Sequence, residues 1–459
     1  MSDYTKKLGR LRKAPENFLS AEQIAQVQAG RRDFLRKAFL TASATMAAGG
    51  AANVYAADRK DWEGDKGSKF ILKEQEWRTT LGAPVNEPPY GMPSKYEKDL
   101  VRRISPGLAA VNQANVAFAP LQGMFGIVTP AGLHFNRSHQ GWYDINPEDF
   151  RFMVMGEKNL IKMPKVYTVG DIMRMQPVSR FHFIECGANS AMEWGNVALP
   201  TVQYTHGMVS CSEFTGVPLI DILEDCGADL NGVRFIMAEG ADGAAENRTI
   251  PMSLVLSGEV LVAYGQNGEM LRPENGYPLR LVVPGVEGVS NIKYLRRIKL
   301  GTQPFATKDE TVGYVDLMPD GRLRQYTSVM EVKSVITSPS GGQVLLDKGL
   351  YNVSGLAWSG RGKIKRVDVS FDGGVNWQPA RLEGPIQSKA FTRFNVPWVW
   401  KGQVAFLQSR AIDETGMVQP TYEELRKVRG TRSVYHNNAI QTWQVEENGD
   451  VRNVQLANS

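Results

Sequence analysis

From about residue 111 the chain alternates short apolar runs with breaks rich in Gly, Pro and Asn. The runs "RFMVMG", "FHFIEC", "VRFIMAEG", "EVLVAYGQNGEML" and "PLRLVVPGVEG" favour branched and aromatic side chains, which predicts strands and hairpins. Within the fourth, Asn267-Gly268 is the dipeptide that accepts positive φ in a tight hairpin turn. Helical spacing is scarcer. It occurs in "TVGDIMRM" and in "GVPLIDILEDCG", the second closed by Gly227. This mixture predicts an α+β domain over residues 111–302, not a doubly wound parallel sheet. From about residue 328 the pattern turns to period two, in "EVKSVITSPSGG", "YNVSGLAWSG", "IKRVDVSFDGGVNWQPARL" and "QVAFLQSRAID". Ile364, Val367 and Val369, with Phe371 and Trp377 across an Asp-Gly-Gly turn, suit an all-β sandwich over residues 328–459. Residues 303–327 link the two, and the polar, Pro-bearing residues 57–110 read as a wrapping arm.

Composition changes little: 459 residues, 42% hydrophobic and 22% charged, suffice for two or three domains with real cores. The net charge of +5 is informative through its location. Residues 1–56 hold nine Lys/Arg against four acids, which leaves 44 basic and 44 acidic residues in the remainder. A surface that tracks phosphates needs a basic excess, so nucleic-acid binding is not expected. The N-terminal excess includes "RRDFLRK" (residues 31–37), followed by the mildly apolar "AFLTASATMAAGGAANVYA". That run is too rich in Ala, Gly and Thr for a membrane span and ends in small residues suited to cleavage near Ala56. It matches a twin-arginine export signal, which implies a protein carried folded to the periplasm with its cofactor in place. Three cysteines make no disulfide framework, and there is no Cys-x-x-Cys-His, GxGxxG or Walker A loop. The five histidines lack metal-binding spacing.

The candidate chemistry centres on "RFHFIECGANSAMEWGN", residues 180–196. Cys186 ends a strand-like run, and Gly187 and Ala188 leave room for a bulky group near its backbone. From residue types alone it is either a buried structural cysteine or a soft thiolate donor to a metal. Cys211 and Cys226 read as structural, as do His134 and His182. Several ordered motifs then converge: "GLHFNRSH", "FHFIECGANS", "EGADG", "ENGYPLRLVVPGVEGVSNIKYLRRIKL", "ETVGYVDLMPDG" and "LRKVRGTR". Together, over about three quarters of the chain, they resemble the sulfite oxidase family of molybdenum enzymes, and within it the sulfane dehydrogenases of bacterial thiosulfate oxidation.

The resemblance implies a mixed α/β molybdopterin domain followed by an immunoglobulin-like dimerisation domain, and a molybdenum atom carried by molybdopterin. Cys186 is then the metal ligand, although Cys-Gly-Ala-Asn here departs from the family's Cys-Ala-Gly-Asn. Phe135, Arg137 and His139 match the family's Phe-x-Arg-x-His pocket element. Asp242, Arg280 and Lys293 would hold the pterin, with Gly285 and Gly288 letting backbone approach its phosphate. Asn275 stands where the family often has histidine. Tyr314, rather than Tyr326, is expected as the pocket tyrosine, and Arg429 as an anion contact.

Two departures bear on substrate: Ser190 and Ala191 stand where sulfite oxidases carry arginines, and Tyr204 where they carry tryptophan. A less cationic pocket suits a sulfane sulfur on a cysteine of a carrier protein (SoxYZ type) better than free sulfite. With no haem site of its own, the chain is expected to pass electrons to a c-type cytochrome subunit (SoxD type), as a homodimer within a heterotetramer. The alternative is a periplasmic sulfite dehydrogenase acting on free sulfite.

Overall fold

A computed structural model describes residues 10–12, 93–105, 112–195, 199–311, 313–325, 329–431 and 433–456. The expected export signal and arm therefore lie almost wholly outside the described residues, as does Tyr326. The chain divides into two units. The described part of residues 18–100 holds one 3-10 turn, Lys95–Glu97, capped by the Ser94 hydroxyl. The other unit runs from Val101 to Ser459 and includes the first residues to Asn17, of which Leu11–Arg12 pairs with Val344–Leu345.

Among the described residues the first half of this unit carries two five-stranded sheets. In chain order their strands are β1 (Phe152–Gly156), β2 (Lys165–Tyr167), β3 (Val178–Glu185), β4 (Val209–Pro218), β5 (Phe235–Gly240), β6 (Asn247–Pro251), β7 (Leu261–Gln266), β8 (Glu269–Met270), β9 (Arg280–Val282) and β10 (Leu295–Gly301). One sheet has the order β6-β5-β10-β1-β2, antiparallel except for the β10–β1 pair. The other runs β8-β7-β4-β3, with β9 also paired to β7. Asn267 and Gly268 close the β7–β8 hairpin with φ of 53° and 78°, as the dipeptide predicts. Both expected helices form. Val169–Met173 starts on a Thr168/Asp171 capping box. Helix α1 (Leu219–Asp225) buries Leu219, Ile222 and Leu223 and stops before Gly227, whose φ is 70°.

The second half is an antiparallel sandwich of β11 (Lys333–Ser338), β12 (Gly349–Trp358), β13 (Ile364–Ser370), β14 (Thr392–Trp400), β15 (Ala405–Asp413), β16 (Thr442–Val445) and β17 (Val451–Val454). Helix α2 (Tyr422–Arg429) interrupts it between β15 and β16. The sequence reading did not anticipate this helix, although Thr421 and Glu424 form a capping box readable in "TYEE". Among the described residues no helix is long and apolar enough to cross a membrane.

One hydrophobic cluster spans both halves, while a second lies within the first half alone. Phe183 of β3 and Val209 and Phe214 of β4 belong to the same cluster as Val335, Trp358, Phe394 and Trp443 of the sandwich. At the seam Gly285 has φ of 77°, and a Cβ there would lie 2.4 Å from the Gly360 carbonyl oxygen. Gly285 is thus required by backbone packing against the sandwich, which corrects the expectation that it makes room for a cofactor phosphate. Gly285→Ala should cost about 2–4 kcal/mol, from the left-handed backbone and the displaced seam together. Gly227→Ala, with the same backbone penalty but nothing within 4 Å, should cost about 1 kcal/mol. Thermal unfolding of the two variants beside the wild type checks the contrast.

Candidate active site

Cys186 sits one residue past the end of β3, and its N–H donates to the Met208 carbonyl at 2.9 Å. That bond extends the β3–β4 ladder by one step and fixes the direction in which the thiol leaves the sheet. Burial pushes the thiol pKa up, while Arg137 pulls it down. The chain then turns: the Asn189 N–H donates to the Cys186 carbonyl at 2.9 Å, and Ser190 follows at φ 66°.

The turn is held from behind by a buried polar cluster. Asn189 Nδ2 donates to Glu185 Oε1 at 2.9 Å. Lys333 Nζ, from the first sandwich strand, donates to Glu185 Oε1 and to Ser190 Oγ, each at 3.0 Å. Trp358 Nε1 donates to Glu185 Oε2 at 2.7 Å. Glu185 and Lys333 are both about 1% exposed, so an unpaired charge here would be costly.

In front of Cys186 lies a cavity of about 770 Å³, part of it open to solvent. Its wall brings together Phe135, Arg137, His139, Cys186, Asp242, Arg280, Lys293 and Tyr314, eight of the nine residues expected from sequence. The short strand Asn136–Arg137 pairs with Val116–Phe118 and places Phe135 and Arg137 on the wall. His139 Nδ1 meets Glu246 Oε2 at 2.8 Å. Arg280 donates to the carbonyls of Asn275 (2.8 Å) and Asn291 (3.2 Å), and its Nε has no partner. Lys293 Nζ donates to Asn136 Oδ1 and to the Arg137 carbonyl. Neither cation forms an ion pair among the described residues. Burial lowers both, Arg280 to about 10 and Lys293 to about 7, with repulsion from Arg280 adding to the fall at Lys293.

Tyr314 reaches the wall from a left-handed backbone position, φ 48°, ahead of the strand Val315–Leu317. Its ring stacks on Tyr435 at 4.9 Å. Burial, reinforced by Cys186 and Glu246, raises its phenol pKa, so the hydroxyl stays protonated and can donate. Arg429, the ninth expected residue, ends α2, is 4% exposed and faces Asp316 Oδ2 at 3.7 Å. It is not on the cavity wall: the acid beside it takes its charge first. Tyr204 is likewise off the wall, its hydroxyl 3.3 Å from Ser105 Oγ and its ring against Phe118.

Other wall residues escaped the sequence reading. His134 lies on the wall, its Nδ1 bonded to the Phe135 carbonyl at 2.9 Å and its Nε2 without a partner. Burial drops it to about 3, so it is neutral. Asn291 and Glu246 also line the cavity, and so does Asn275, which the sequence had singled out at the family's histidine position. His182, Cys211 and Cys226 stay outside it, as expected. Cys211 is fully buried and its thiol is pushed up to about 12.

Comparison with known proteins fits this geometry. Residues 139–308 match the model of the oxidoreductase molybdopterin binding domain, and residues 324–443 that of the Mo-co oxidoreductase dimerisation domain. A crystal structure of the sulfane dehydrogenase SoxCD from Paracoccus pantotrophus aligns with TM-score 0.82 and 43% identity, over 85% of this chain and 100% of that one. The chain belongs to the sulfite oxidase family of molybdenum enzymes. It is 28% identical over 331 residues to mitochondrial sulfite oxidase of Mus musculus, covering 67% of this chain and 60% of the mouse protein. It is 29% identical over 334 residues to an NADH nitrate reductase of Solanum lycopersicum, covering 64% of this chain and 36% of the reductase. The chain thus spans only part of the curated relatives it matches.

The residues fit the cofactor of that family, molybdenum carried by molybdopterin. Two buried cations without a carboxylate partner and two orphaned nitrogens, Arg280 Nε and His134 Nε2, face a cavity that ends at a soft sulfur donor. Among the described residues no three His, Cys, Asp or Glu side chains converge as a metal cage. Cys186 would then be a single protein donor to a metal whose other sulfur ligands come with the pterin. Cys186→Ser should lose molybdenum and Cys211→Ser should keep it, measured by metal analysis. In cofactor-free protein Lys293 carries its charge below about pH 7 and loses it above. Sulfate binding followed by calorimetry should therefore weaken as pH rises through 7, with proton uptake near neutrality. Lys293→Met should bind sulfate weakly with a flat pH dependence across that range.

Proposed function

We propose that this oxidoreductase is the molybdenum-bearing subunit of a periplasmic sulfane dehydrogenase. It would oxidise the sulfane sulfur held on a cysteine of a carrier protein of SoxYZ type. Electrons would pass to a c-type cytochrome subunit of SoxD type, with two catalytic chains joined through their sandwich domains.

The observation that carries this reading is the charge balance around Cys186. Where sulfite oxidases carry arginine, Ser190 receives Lys333, whose charge is already met by Glu185. Arg429 is matched by Asp316, and Arg248 of β6 by Glu287. Among the described residues on the cavity wall, a doubly charged oxyanion would find Arg137 as the cation left beside the cysteine, since Arg280 and Lys293 would hold the pterin. A sulfur atom presented by a carrier needs less positive charge. The likeness to SoxCD, a sulfane dehydrogenase, supports the same choice.

When bound, the cofactor supplies the redox couple that takes up the electrons of sulfur oxidation. The chain's residues do the rest. Cys186 would anchor the centre from a strand end, Arg280 and Lys293 would hold the phosphate, and Asp242, Phe135 and His139 would enclose the pterin. Arg137 orients the growing negative charge on the oxidised sulfur, and the protonated Tyr314 phenol donates to an oxygen there. The paired arginines at 31–32 support periplasmic delivery.

Free sulfite is the second reading, favoured by the Arg137 donors in the cavity and the kinship with sulfite oxidases. Molybdenum-loaded protein supplied with a persulfidated carrier and a cytochrome c acceptor separates the two. The proposal expects several-fold more electrons, delivered faster, from the carrier than from equimolar sulfite. Efficient turnover of micromolar sulfite without any carrier would sink it.

A further inference from the structure

Strand β6 carries a buried cation outside the motifs that reveal the family. Arg248 is 4% exposed. Its Nη2 donates to Glu287 Oε1, while Nε and Nη1 have no partner. Its guanidinium carbon lies 4.8 Å from the centroid of the Tyr314 ring. Tyr435 stacks on the same ring at 4.9 Å with 22° between planes, and its hydroxyl accepts the Tyr314 N–H at 3.2 Å. Tyr314 holds φ 48°, which a bulky L-residue keeps only where its surroundings enforce it.

Glu287 is fully buried, and its Oε2 has no partner. The next residue, Gly288, lies on the cavity wall, and a Cβ there would come within 2.8 Å of the Glu185 carbonyl and 3.3 Å of Cys186 Cα. The Arg248–Glu287 pair therefore lies directly behind the cysteine and tyrosine edge of the cavity. Buried ion pairs contribute little net stability compared with apolar side chains of similar volume. This one also leaves three polar atoms unsatisfied, so stability alone does not explain it. A desolvated guanidinium beside a tyrosine ring does hold that ring by cation–π attraction.

We propose that Arg248 is a positioning residue for the reaction: anchored by Glu287, it clamps the Tyr314 ring against Tyr435 and fixes the phenol at the substrate. The inference rests on the reading of Tyr314 as the donor in the pocket. It assigns Arg248 to the orientation of that donor, not to direct contact with the sulfur.

The test compares molybdenum-loaded wild type, Arg248→Met, Arg248→Lys, Tyr314→Phe and the Arg248→Met/Tyr314→Phe double variant. Turnover is measured with a persulfidated carrier and with sulfite, alongside molybdenum content and near-ultraviolet circular dichroism. Arg248→Met should lower kcat about tenfold to a hundredfold with KM within about twofold, and Arg248→Lys should recover part of the loss. The double variant should be no slower than Tyr314→Phe, because the arginine acts through the tyrosine. The tyrosine dichroism difference of Arg248→Met should reproduce that of Tyr314→Phe, a readout independent of turnover. Should Arg248→Met fold poorly, Glu287→Gln keeps the packing and should show the same dichroism change at smaller amplitude. Losses that multiply in the double variant, or an unaltered tyrosine signal, would overturn the proposal. Full activity in Tyr314→Phe would instead overturn the reading of Tyr314. A slow Tyr314→Phe beside a normal Arg248→Met would overturn the clamp alone.

Discussion

A charge buried beside Cys186 must be met by an opposite charge or left for a ligand to meet, because an isolated ion in this interior is too costly. The site divides along that line. Lys333, Arg429 and Arg248 are matched within the fold by Glu185, Asp316 and Glu287. Arg280 and Lys293 have only carbonyl or amide oxygens as partners, and burial lowers the pKa of both. The first group stiffens the surroundings of the cysteine. The second is left for a ligand to meet. Which cations are answered internally thus decides what the cavity can attract.

The same constraint makes the sandwich part of the site. Lys333 and Trp358 come from sandwich strands, yet both end on Glu185, one residue before Cys186. The core is continuous across the seam from Phe183 to Trp358, whose rings lie 6.5 Å apart. The turn at residues 186–190 therefore takes its shape from both halves of the unit. A sandwich mutation that disturbed Lys333 would act on the cysteine turn without touching the cavity wall.

Much of this was legible in the sequence where the information is local. Period-two runs marked β11, β12, β13 and β15, Asn267-Gly268 marked a hairpin, and the residues of the family motifs come together on one wall, with the exception of Arg429. The exception is instructive. Arg429 ends a helix that the sequence did not announce, and Asp316 from a distant segment meets it before the cavity does. Likewise Gly285 looked like space for a cofactor and is space for Gly360. Lys333 reads as one polar position in an alternating strand, and nothing in "EVKSVITS" announces that it reaches Ser190 across the seam. Arg248 and Glu287 were invisible as a pair because 39 residues separate them. Partners set by tertiary contact, rather than residue types, were the part sequence could not carry.

The account stands on the claim that internal pairing of cations keeps the substrate side of the cavity from binding a free dianion well. The Michaelis constant for sulfite in molybdenum-loaded Asp316→Asn, beside wild type, tests it directly. Asparagine keeps the oxygen that accepts the Val434 N–H but no longer offers Arg429 a carboxylate. The account predicts that KM for sulfite falls about fivefold or more with molybdenum content unchanged. An unchanged or higher KM, with the metal fully retained, would contradict it.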